Sequence, residues 1–488
     1  MPIDLFEYSS CKHGDNSLVV EKRWSELDAF LQEVWDDRPQ TEAKYQRELE
    51  PEEEYDEEKG RQRYLKTENG HLKAHRFVGT VCFDGTTINI WPRVFRTQFE
   101  SPKTDKDKDV LPGVMTRNML RWASRAEYLT LHSSGGESAI PPDGISNFFE
   151  AYIWLFAQFT CDLLARQPYW QYQSEIEEGE VLRGRLVMNQ YINDCLARGR
   201  WHRLVYEHEP FVFDNLLNRI IKRTCQLAQG FCASPTVREK LGAILFELDE
   251  VDDVFCTARD CDRVHLNRMH TEYQIVLDNC RTILAQCQAD NSGRDMKRFC
   301  FLLPMDRLFE EYLRVLAQEF VQENRDWKLV DKDGSGIFLA KGYQPPTPMQ
   351  WNDCFSLRHD LLFQPDGNNG NGVIIADAKW KSREKKAKDG NFGVSQGDMY
   401  QMVAYAHGRG STEVRLLYPA MGKEPTNRHI ATLITQPRGD SAARSINVQI
   451  HELKIHTDAE PNLVEDEQCT EEEKAIKVAF RVMLTPEL

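Results

Sequence analysis

The sequence feature that most restricts the fold is a pair of short apolar runs on either side of a loop rich in glycine and asparagine. The first run lies within residues 357–363 and the second covers residues 373–376. Two such runs around a turn-forming loop predict an antiparallel hairpin. The second run is continuously apolar, which is typical of a strand covered on both faces. We therefore expect a central sheet with protein packed on both sides.

Three charged residues occupy the end of this predicted hairpin. Asp360 and Asp377 can face one another across the strand pair. Asp377 and Lys379 share a face, because side chains alternate along a strand. Charged groups at the end of a buried strand need a charged partner or a metal ion. The sequence thus predicts two carboxylates and one ammonium group at a single place.

This trio suits metal-dependent hydrolysis of a phosphodiester. Mg²⁺ is usually held by one or two carboxylates and keeps several waters. The bound ion lowers the pKa of water and neutralises charge on the phosphate, while a lysine can orient the water. The alternative is an ordinary hairpin with solvated Asp and Lys side chains, since the pattern Asp, spacer, Asp-x-Lys also arises by chance.

The basic residues that follow the hairpin bear on whether DNA is a partner. The net charge of −16 counts against nucleic acid, because a phosphate-binding surface must be positive. Directly after Lys379, however, the chain becomes locally basic. The residues that we predict to contact DNA are Lys381, Arg383, Lys385 and Lys386. A solvated basic loop would have the same composition.

Composition and length describe a soluble globular protein of several domains. The chain has 488 residues, of which 41% are hydrophobic and 28% charged, so collagen-like, mucin-like and wholly disordered chains are excluded. We expect an α+β multidomain protein with a β-rich domain at 1–140, a helical region at 141–295 and an α/β domain with a mixed central sheet at 296–488. We see no secretory signal, and the apolar stretch 151–161 is too short to cross a bilayer.

Local patterns predict several individual elements. An amphipathic helix should contain Trp24 to Val34, and Asp84-Gly85 should form the turn of a hairpin over residues 76–92. The predicted helices of the middle region are 147–167, 214–229, 236–248 and 270–288. We expect a closing strand at 475–484, and solvated loops in the acidic segments 48–58 and 457–474.

The thirteen cysteines are an odd number in no regular framework, which favours reduced thiols in a cytoplasm. The nearest approach to a metal motif is the set Cys256, Cys261, His265 and His270. Its spacing lies at the edge of the range for structural zinc. A loop followed by a helix is the simpler interpretation.

The order of these motifs resembles a known family. A helix with Leu308-Phe309-Glu310, strands with Asp360 and with Asp377-Ala378-Lys379, and a helix with Asp398-Met-Tyr-Gln401 resemble the PD-(D/E)xK nuclease core. More narrowly, the chain resembles McrC, the nuclease subunit of the McrBC modification-dependent restriction system. Residues 182–186 and 214–222 are similar to segments of that family, and the hairpin end at 90–93 is similar to its N-terminal region.

The resemblance implies roles for individual residues. It implies that Asp360 and Asp377 bind the metal, which would be Mg²⁺ with Mn²⁺ as the alternative, and that Lys379 is the catalytic lysine. Glu310 would be the helix acid near the metal, and Gln401 the glutamine that supports the site. Two departures stand out: Arg-His precedes the first acid in place of proline, and the second acid is Asp where many relatives have Glu.

The resemblance also implies partners. In that family a separate AAA+ GTPase ring, McrB, recognises modified DNA, and McrC docks on it, stimulates GTP hydrolysis and cuts. By this resemblance, the β-rich domain at 1–140 would be the part that docks on the ring. We therefore expect an McrB-like ring, double-stranded DNA carrying modified cytosine and a dimer of nuclease domains as partners in a bacterial or archaeal cytoplasm. No G-x-x-x-x-G-K-[ST] phosphate loop occurs, so this chain should bind no nucleotide.

Two other functions stay open from the sequence. One is a non-catalytic adaptor that activates a GTPase and uses the nuclease fold as a DNA clamp, although the retained acids would repel phosphate when no metal is bound. The other is a stand-alone nuclease in another defence or repair system.

Overall fold

A computed structural model describes most of the chain. The described residues are 2–12, 24–36, 62–68, 71–102, 105–129, 145, 147–286, 298–330, 338–342, 352–366, 372–383, 390–421, 427–435, 445–457 and 470–485. The acidic segment 48–58 and most of the acidic segment 457–474 lie outside these residues.

The elements follow one another in three groups. The first comprises β1 Ile3–Phe6, β2 Ser10–Lys12, α1 Trp24–Asp36, β3 Leu65–Glu68, β4 His71–Ala74, β5 Phe77–Phe83, β6 Thr86–Trp91, α2 Arg96–Glu100 and α3 Asp105–Arg125. The second comprises α4 Phe148–Arg166, β7 Gln171–Tyr172, β8 Glu175–Gly179, β9 Arg185–Leu186, β10 Leu204–His208, β11 Phe211–Val212, α5 Leu216–Phe231, α6 Pro235–Glu247 and α7 Tyr273–Gln286. The third comprises β12 Arg298–Pro304, α8 Met305–Glu323, β13 Trp327–Leu329, β14 Phe338–Gly342, β15 Asn352–Ser356, β16 Leu361–Pro365, β17 Ile374–Ala378, α9 Gln396–Arg409, β18 Glu413–Pro419, β19 Arg428–Ile434, β20 Asn447–Leu453 and α10 Glu471–Leu484.

The N-terminal sheet joins distant parts of the chain. Its strand order is β1-β6-β5-β12, with β5 and β6 forming the predicted hairpin. Asp84 and Gly85 adopt positive φ angles of 47° and 82°, as a two-residue hairpin turn of this kind requires. Gly79 faces β12 so closely that a Cβ atom would lie 2.1 Å from the carbonyl oxygen of Phe301, so only glycine fits there.

The four predicted helices of the middle region are confirmed as α4 to α7, and they share a hydrophobic core with α3, β12, α8 and α10. Helix α4 is long and apolar enough to cross a membrane, with a mean hydropathy of 1.2, but 67% of that stretch is buried inside the protein. Helix α4 is therefore a core helix of the protein. Between α4 and α5 the chain also forms a small β module, β7 to β11, that the helical prediction did not include.

The C-terminal sheet is mixed and covered on both faces, as predicted. Its order is β13-β16-β17-β18-β20-β19, with β17, β18 and β20 parallel and the other pairs antiparallel. Alternate residues of β16 and β17 point to opposite sides. Leu361 and Ala376 belong to the core that contains α8 and α10, whereas Leu362 and Ile375 belong to the core that contains α9.

The predicted closing strand at 475–484 is wrong, because this segment is the helix α10. Its buried residues Ile476, Phe480, Met483 and Leu484 recur at helical spacing. Thr470 and Glu473 form a capping box, in which the threonine side chain accepts from the amide of Glu473. The T-x-x-E signal at the start of the segment would have distinguished a helix from a strand.

The predicted domain division stays a prediction, and contacts such as the following two cross its boundary near 295. Strand β12 pairs along its whole length with β5 of the N-terminal sheet. Trp122 of α3 donates its indole N–H to the carbonyl of Ile455 at 3.0 Å. The N-terminal and C-terminal segments therefore share one packed structure.

Glu473 generates a prediction about stability. Its buried carboxylate accepts from Arg125 at 3.1 Å and from the Tyr312 hydroxyl at 3.1 Å. Burial alone would raise the pKa of Glu473, but Arg125 and Arg121 hold it below the ordinary value of 4.5. Glu473→Gln should lower the free energy of unfolding by about 2 kcal/mol at pH 7. A depressed pKa stabilises the fold above pH 4.5, so the difference should disappear as the pH falls through the folded-state pKa.

Urea titrations at pH 7 and pH 3.5 would measure this effect. The matched control is Glu471→Gln in the same helical turn, whose side chain is 83% exposed and which should change stability by less than about 0.5 kcal/mol. Equal stability of wild type and Glu473→Gln at pH 7 would contradict the assignment.

Candidate functional site

The three predicted charged residues converge at one end of the hairpin. The register pairs Leu361 with Ala376, which brings Asp360 and Asp377 opposite one another. The Oδ2 atom of Asp360 accepts a hydrogen bond from the backbone amide of Ala378 at 2.7 Å. The Nζ atom of Lys379 lies 2.9 Å from Oδ2 of Asp377, and both side chains are almost completely buried.

Helix α9 fixes the position of Lys379. The helix begins after Ser395, whose hydroxyl caps it by accepting from the amide of Asp398 at 3.1 Å. One turn later, Oε1 of Gln401 accepts from Nζ of Lys379 at 2.8 Å, and Nε2 of Gln401 donates to the Tyr405 hydroxyl at 2.8 Å. The ammonium group is thus held between a carboxylate and an amide.

Helix α8 brings the third predicted acid to the edge of the site. Glu310 is buried and forms an ion pair with Arg307 at 3.2 Å. Arg314, one turn further along the same helix, donates to the carbonyl of Asp360 at 2.9 Å. The helix therefore holds the backbone at Asp360 and adds a negative charge beside it.

The electrostatics of Asp360 indicate an excess of negative charge. Burial raises the pKa of Asp360 well above its usual range, and the charges of Asp377 and Glu310 raise it further. Lys379 and the amide of Ala378 oppose the shift without cancelling it. A divalent cation would relieve this repulsion.

The donors present fit a hard cation such as Mg²⁺. Asp360 and Asp377 would supply carboxylate oxygens, and one or two carboxylates are the usual protein ligands of Mg²⁺. Within the part of the chain that the structure describes, no group of three or more His, Cys, Asp or Glu residues could hold a metal ion. The fit is thus to an open site with two protein carboxylates, and Glu310 stands outside it.

The basic residues predicted to contact DNA have different surroundings. Lys381, whose side chain is 39% exposed, pairs with Asp398 at 3.0 Å. Arg383 is buried, and its guanidinium pairs with Glu452 and donates to the carbonyl of Phe392 at 2.8 Å. Lys385 and Lys386 lie outside the described residues. DNA contact by these residues stays a prediction, and Arg383 already has partners within the protein.

The candidate zinc residues do not assemble into a site. Cys256 and Cys261 are buried, and burial raises the pKa of Cys261 to about 11, so that thiol stays protonated. His265 is exposed, whereas Nδ1 of His270 lies 2.7 Å from Oδ1 of Asn267. No three of these four residues, all within the described part of the chain, could share a metal ion.

Sequence reasoning missed the residues that contact Trp380, in the segment that follows β17. Trp380 is buried, its indole N–H donates to Glu7 at 2.6 Å, and its carbonyl accepts from Arg93. Glu7 and Trp380 are 373 positions apart. Only the placement of a tryptophan directly beside the lysine hinted at a buried contact.

Comparisons with known proteins agree with the resemblance. A family model described as McrBC 5-methylcytosine restriction system component matches residues 72–419. One solved structure, the refined half-complex from a tetradecameric assembly of Thermococcus gammatolerans McrB AAA+ hexamers with bound McrC, matches with a TM-score of 0.66 and 16% identity, covering 99% of this chain and all of that one.

A second structure, the cryo-EM structure of the Thermococcus gammatolerans McrBC complex, matches with a TM-score of 0.50 and 19% identity over 66% of this chain and 88% of that one. No curated protein matches. At these identities the structures establish a shared fold. The match of the family model over most of the chain establishes more: the chain belongs to the McrBC 5-methylcytosine restriction system component family.

Proposed function

We propose that this protein is the DNA-cleaving subunit of a modification-dependent restriction system and that its C-terminal domain is a PD-(D/E)xK nuclease. The observation that carries the proposal is the convergence of Asp360, Asp377 and Lys379 at one end of the hairpin in a member of this family. The substrate is double-stranded DNA that carries modified cytosine, and the protein acts in the cytoplasm.

Each residue has a task in phosphodiester hydrolysis. Asp360 and Asp377 would hold Mg²⁺, or Mn²⁺ in its place, and such an ion would supply Lewis-acid chemistry to water and phosphate. Lys379 presents its ammonium group toward the attacking water and the phosphate. Gln401 keeps that group from rotating away, and Glu310 adds negative potential that strengthens cation binding.

The partners of the proposed function are a GTPase ring and a second nuclease domain. The matched McrC is bound to McrB AAA+ hexamers. We propose that this chain likewise docks on an McrB-like ring, stimulates its GTP hydrolysis and binds no nucleotide itself. Two nuclease domains come together so that both DNA strands are cut.

We place the docking contact on the small β module of β7 to β11. The apolar side chains of the N-terminal sheet are buried, whereas most of those in the module outside β10 are exposed to solvent. Tyr172 and Trp201 are 67% and 71% exposed, and Trp170 stacks on Phe211 with ring centroids 5.5 Å apart. Exposed aromatic side chains of this density mark a protein contact. The earlier expectation that residues 1–140 dock on the partner stays untested.

The first prediction concerns metal binding. Asp360→Asn keeps an oxygen for the Ala378 amide and removes the repelling charge. In chelator at pH 8 the variant should therefore unfold at a higher temperature than wild type. Since the pKa of Asp360 is raised above 3.8, its ionisation destabilises the fold as the pH rises, so the advantage should be smaller at pH 5. Added Mg²⁺ should stabilise wild type and not the variant.

Thermal scans with and without Mg²⁺ would test this prediction. Asp366→Asn, in the same hairpin but 46% exposed and paired with Lys328, is the matched control and should respond to Mg²⁺ like wild type. A metal-free Asp360→Asn protein that unfolds below wild type at pH 8 would refute the proposed charge excess.

The second prediction concerns cleavage. Lys379→Met should lower the rate of plasmid cleavage at least 100-fold, because the group that orients water is lost. Its stimulation of the partner's GTP hydrolysis should be unchanged. The assay contains methylated or unmethylated plasmid, GTP, Mg²⁺ and an McrB-like GTPase.

Lys328→Met, at an exposed position of the same sheet, is the control and should cut like wild type. Full cleavage by Lys379→Met would exclude the assigned site. Stimulated GTP hydrolysis without cutting by wild type would favour the adaptor, and cutting without partner or GTP would favour a stand-alone nuclease.

The third prediction concerns docking. Trp201→Ala should weaken binding to the GTPase ring about 30-fold, as expected for an exposed aromatic anchor that becomes buried in a contact. Phe246→Ala is the control, because Phe246 is 80% exposed on α6 outside the module. Light scattering or calorimetry would measure both affinities. If the two variants bound the ring with equal affinity, the docking contact would not lie on the module.

A further inference from the structure

Three consecutive side chains that follow β17 form hydrogen bonds with different parts of the protein. Lys379 bonds to Gln401 and Lys381 to Asp398, both on α9. Trp380 points the other way, toward the N-terminal sheet, where Oε1 of Glu7 accepts from its indole N–H at 2.6 Å. The chain turns tightly here, since the amide of Lys381 bonds to the carbonyl of Lys379 at 2.8 Å.

Glu7 is itself fixed in place. It follows β1, and its amide donates to the carbonyl of Trp91 at 3.0 Å. The same Oε1 atom accepts from the backbone amide of Arg93 at 3.0 Å and lies 3.4 Å from Nε of Arg93. The side chain of Glu7 has no exposed surface. A carboxylate buried in this way is held to one geometry by its hydrogen bonds.

Arg93 and Phe309 complete the enclosure of Trp380. The guanidinium of Arg93 donates to the backbone carbonyl of Trp380 and lies 4.6 Å from the ring of Tyr8. The indole ring packs on Phe309 with centroids 5.2 Å apart, directly beside Glu310 on α8. Both the side chain and the backbone of Trp380 are therefore held by residues outside the C-terminal sheet.

We infer that Glu7 and Arg93 of the N-terminal segment are positioning residues for the nuclease centre, acting on Lys379 through Trp380. The inference rests on the proposed function of Lys379. A water-orienting ammonium group must stay within a fraction of an ångström of its productive place. Gln401 and Asp377 hold the ammonium group of Lys379. The bonds of Glu7 and Arg93 to Trp380, which we call the clamp, hold the backbone next to Lys379. Both the ammonium group and the backbone of Lys379 are thus held in place.

Conservative substitutions separate this role from simple packing. Trp380→Phe keeps an aromatic ring against Phe309 and deletes the indole N–H. Glu7→Met removes the acceptor at similar size, whereas Glu7→Gln retains an oxygen that can accept. The control is Trp154→Phe in α4, also buried, whose indole N–H has no hydrogen-bond partner among the described residues.

In the full complex with its GTPase, Trp380→Phe and Glu7→Met should each lower kcat for DNA cleavage about tenfold, with KM for DNA and GTP hydrolysis unchanged. The double variant should be no worse than Glu7→Met alone, because Glu7→Met already lacks the bond between Glu7 and Trp380. Glu7→Gln should recover most of the activity. A kcat within twofold of wild type for Trp380→Phe, or an equal loss in Trp154→Phe, would overturn the inference.

Hydrogen exchange provides a readout that does not depend on cleavage. The amides of Lys379 and Lys381 are hydrogen-bonded to Leu417 and Lys379, so loss of the clamp should speed their exchange about tenfold in the isolated Trp380→Phe protein, with β16 unchanged. Unchanged exchange at these amides would refute the positioning role. If wild type failed to cut DNA, the proposed function would fall, while hydrogen exchange would still decide whether Glu7 holds this strand.

Discussion

The structure depends on two carboxylates that face each other across one strand pair. The register of β16 and β17 leaves the partly buried Asp360 and the buried Asp377 opposite one another, in a sheet with helices packed on both faces. Lys379 and the amide of Ala378 offset part of this negative charge, and Gln401 holds the ammonium group of Lys379 in place. The negative charge that remains would favour a bound cation, as the proposed metal site requires.

The N-terminal and C-terminal sheets together support the elements that carry these charged side chains. Strand β12 of the N-terminal sheet leads directly into α8, so the helix that carries Glu310 starts from that sheet. The junction is secured by the amide of Met305, which donates to the carbonyl of Arg76 at 3.0 Å, and by the ion pair of Arg76 with Asp306 at 3.1 Å. With the clamp on Trp380, the N-terminal sheet contacts both the helix and the strand that form the site.

Local spacing in the sequence predicted the parts of the site that depend on local geometry. Strand alternation placed Asp377 and Lys379 on one face, and the resemblance to the nuclease core pointed to Gln401 as their support. The Glu7–Trp380 bond and the Arg383–Glu452 pair were not predictable in this way, because they join residues that only the tertiary fold brings together. The segment of α10 was wrongly predicted as a strand because a short apolar run fits both strand and helix periodicity when the capping signal is not considered.

The pairing of β5 with β12 has a consequence for how the protein is made. Every residue of β5 is buried in the finished fold, yet its partner strand starts at Arg298, about 200 residues after β5 ends. At typical ribosome speeds of roughly 5–20 residues per second, that interval is about 10–40 s. During this time the emerging chain presents an open apolar strand edge, to which other nascent chains can add. Efficient production of this protein therefore depends on shielding β5 until translation reaches β12.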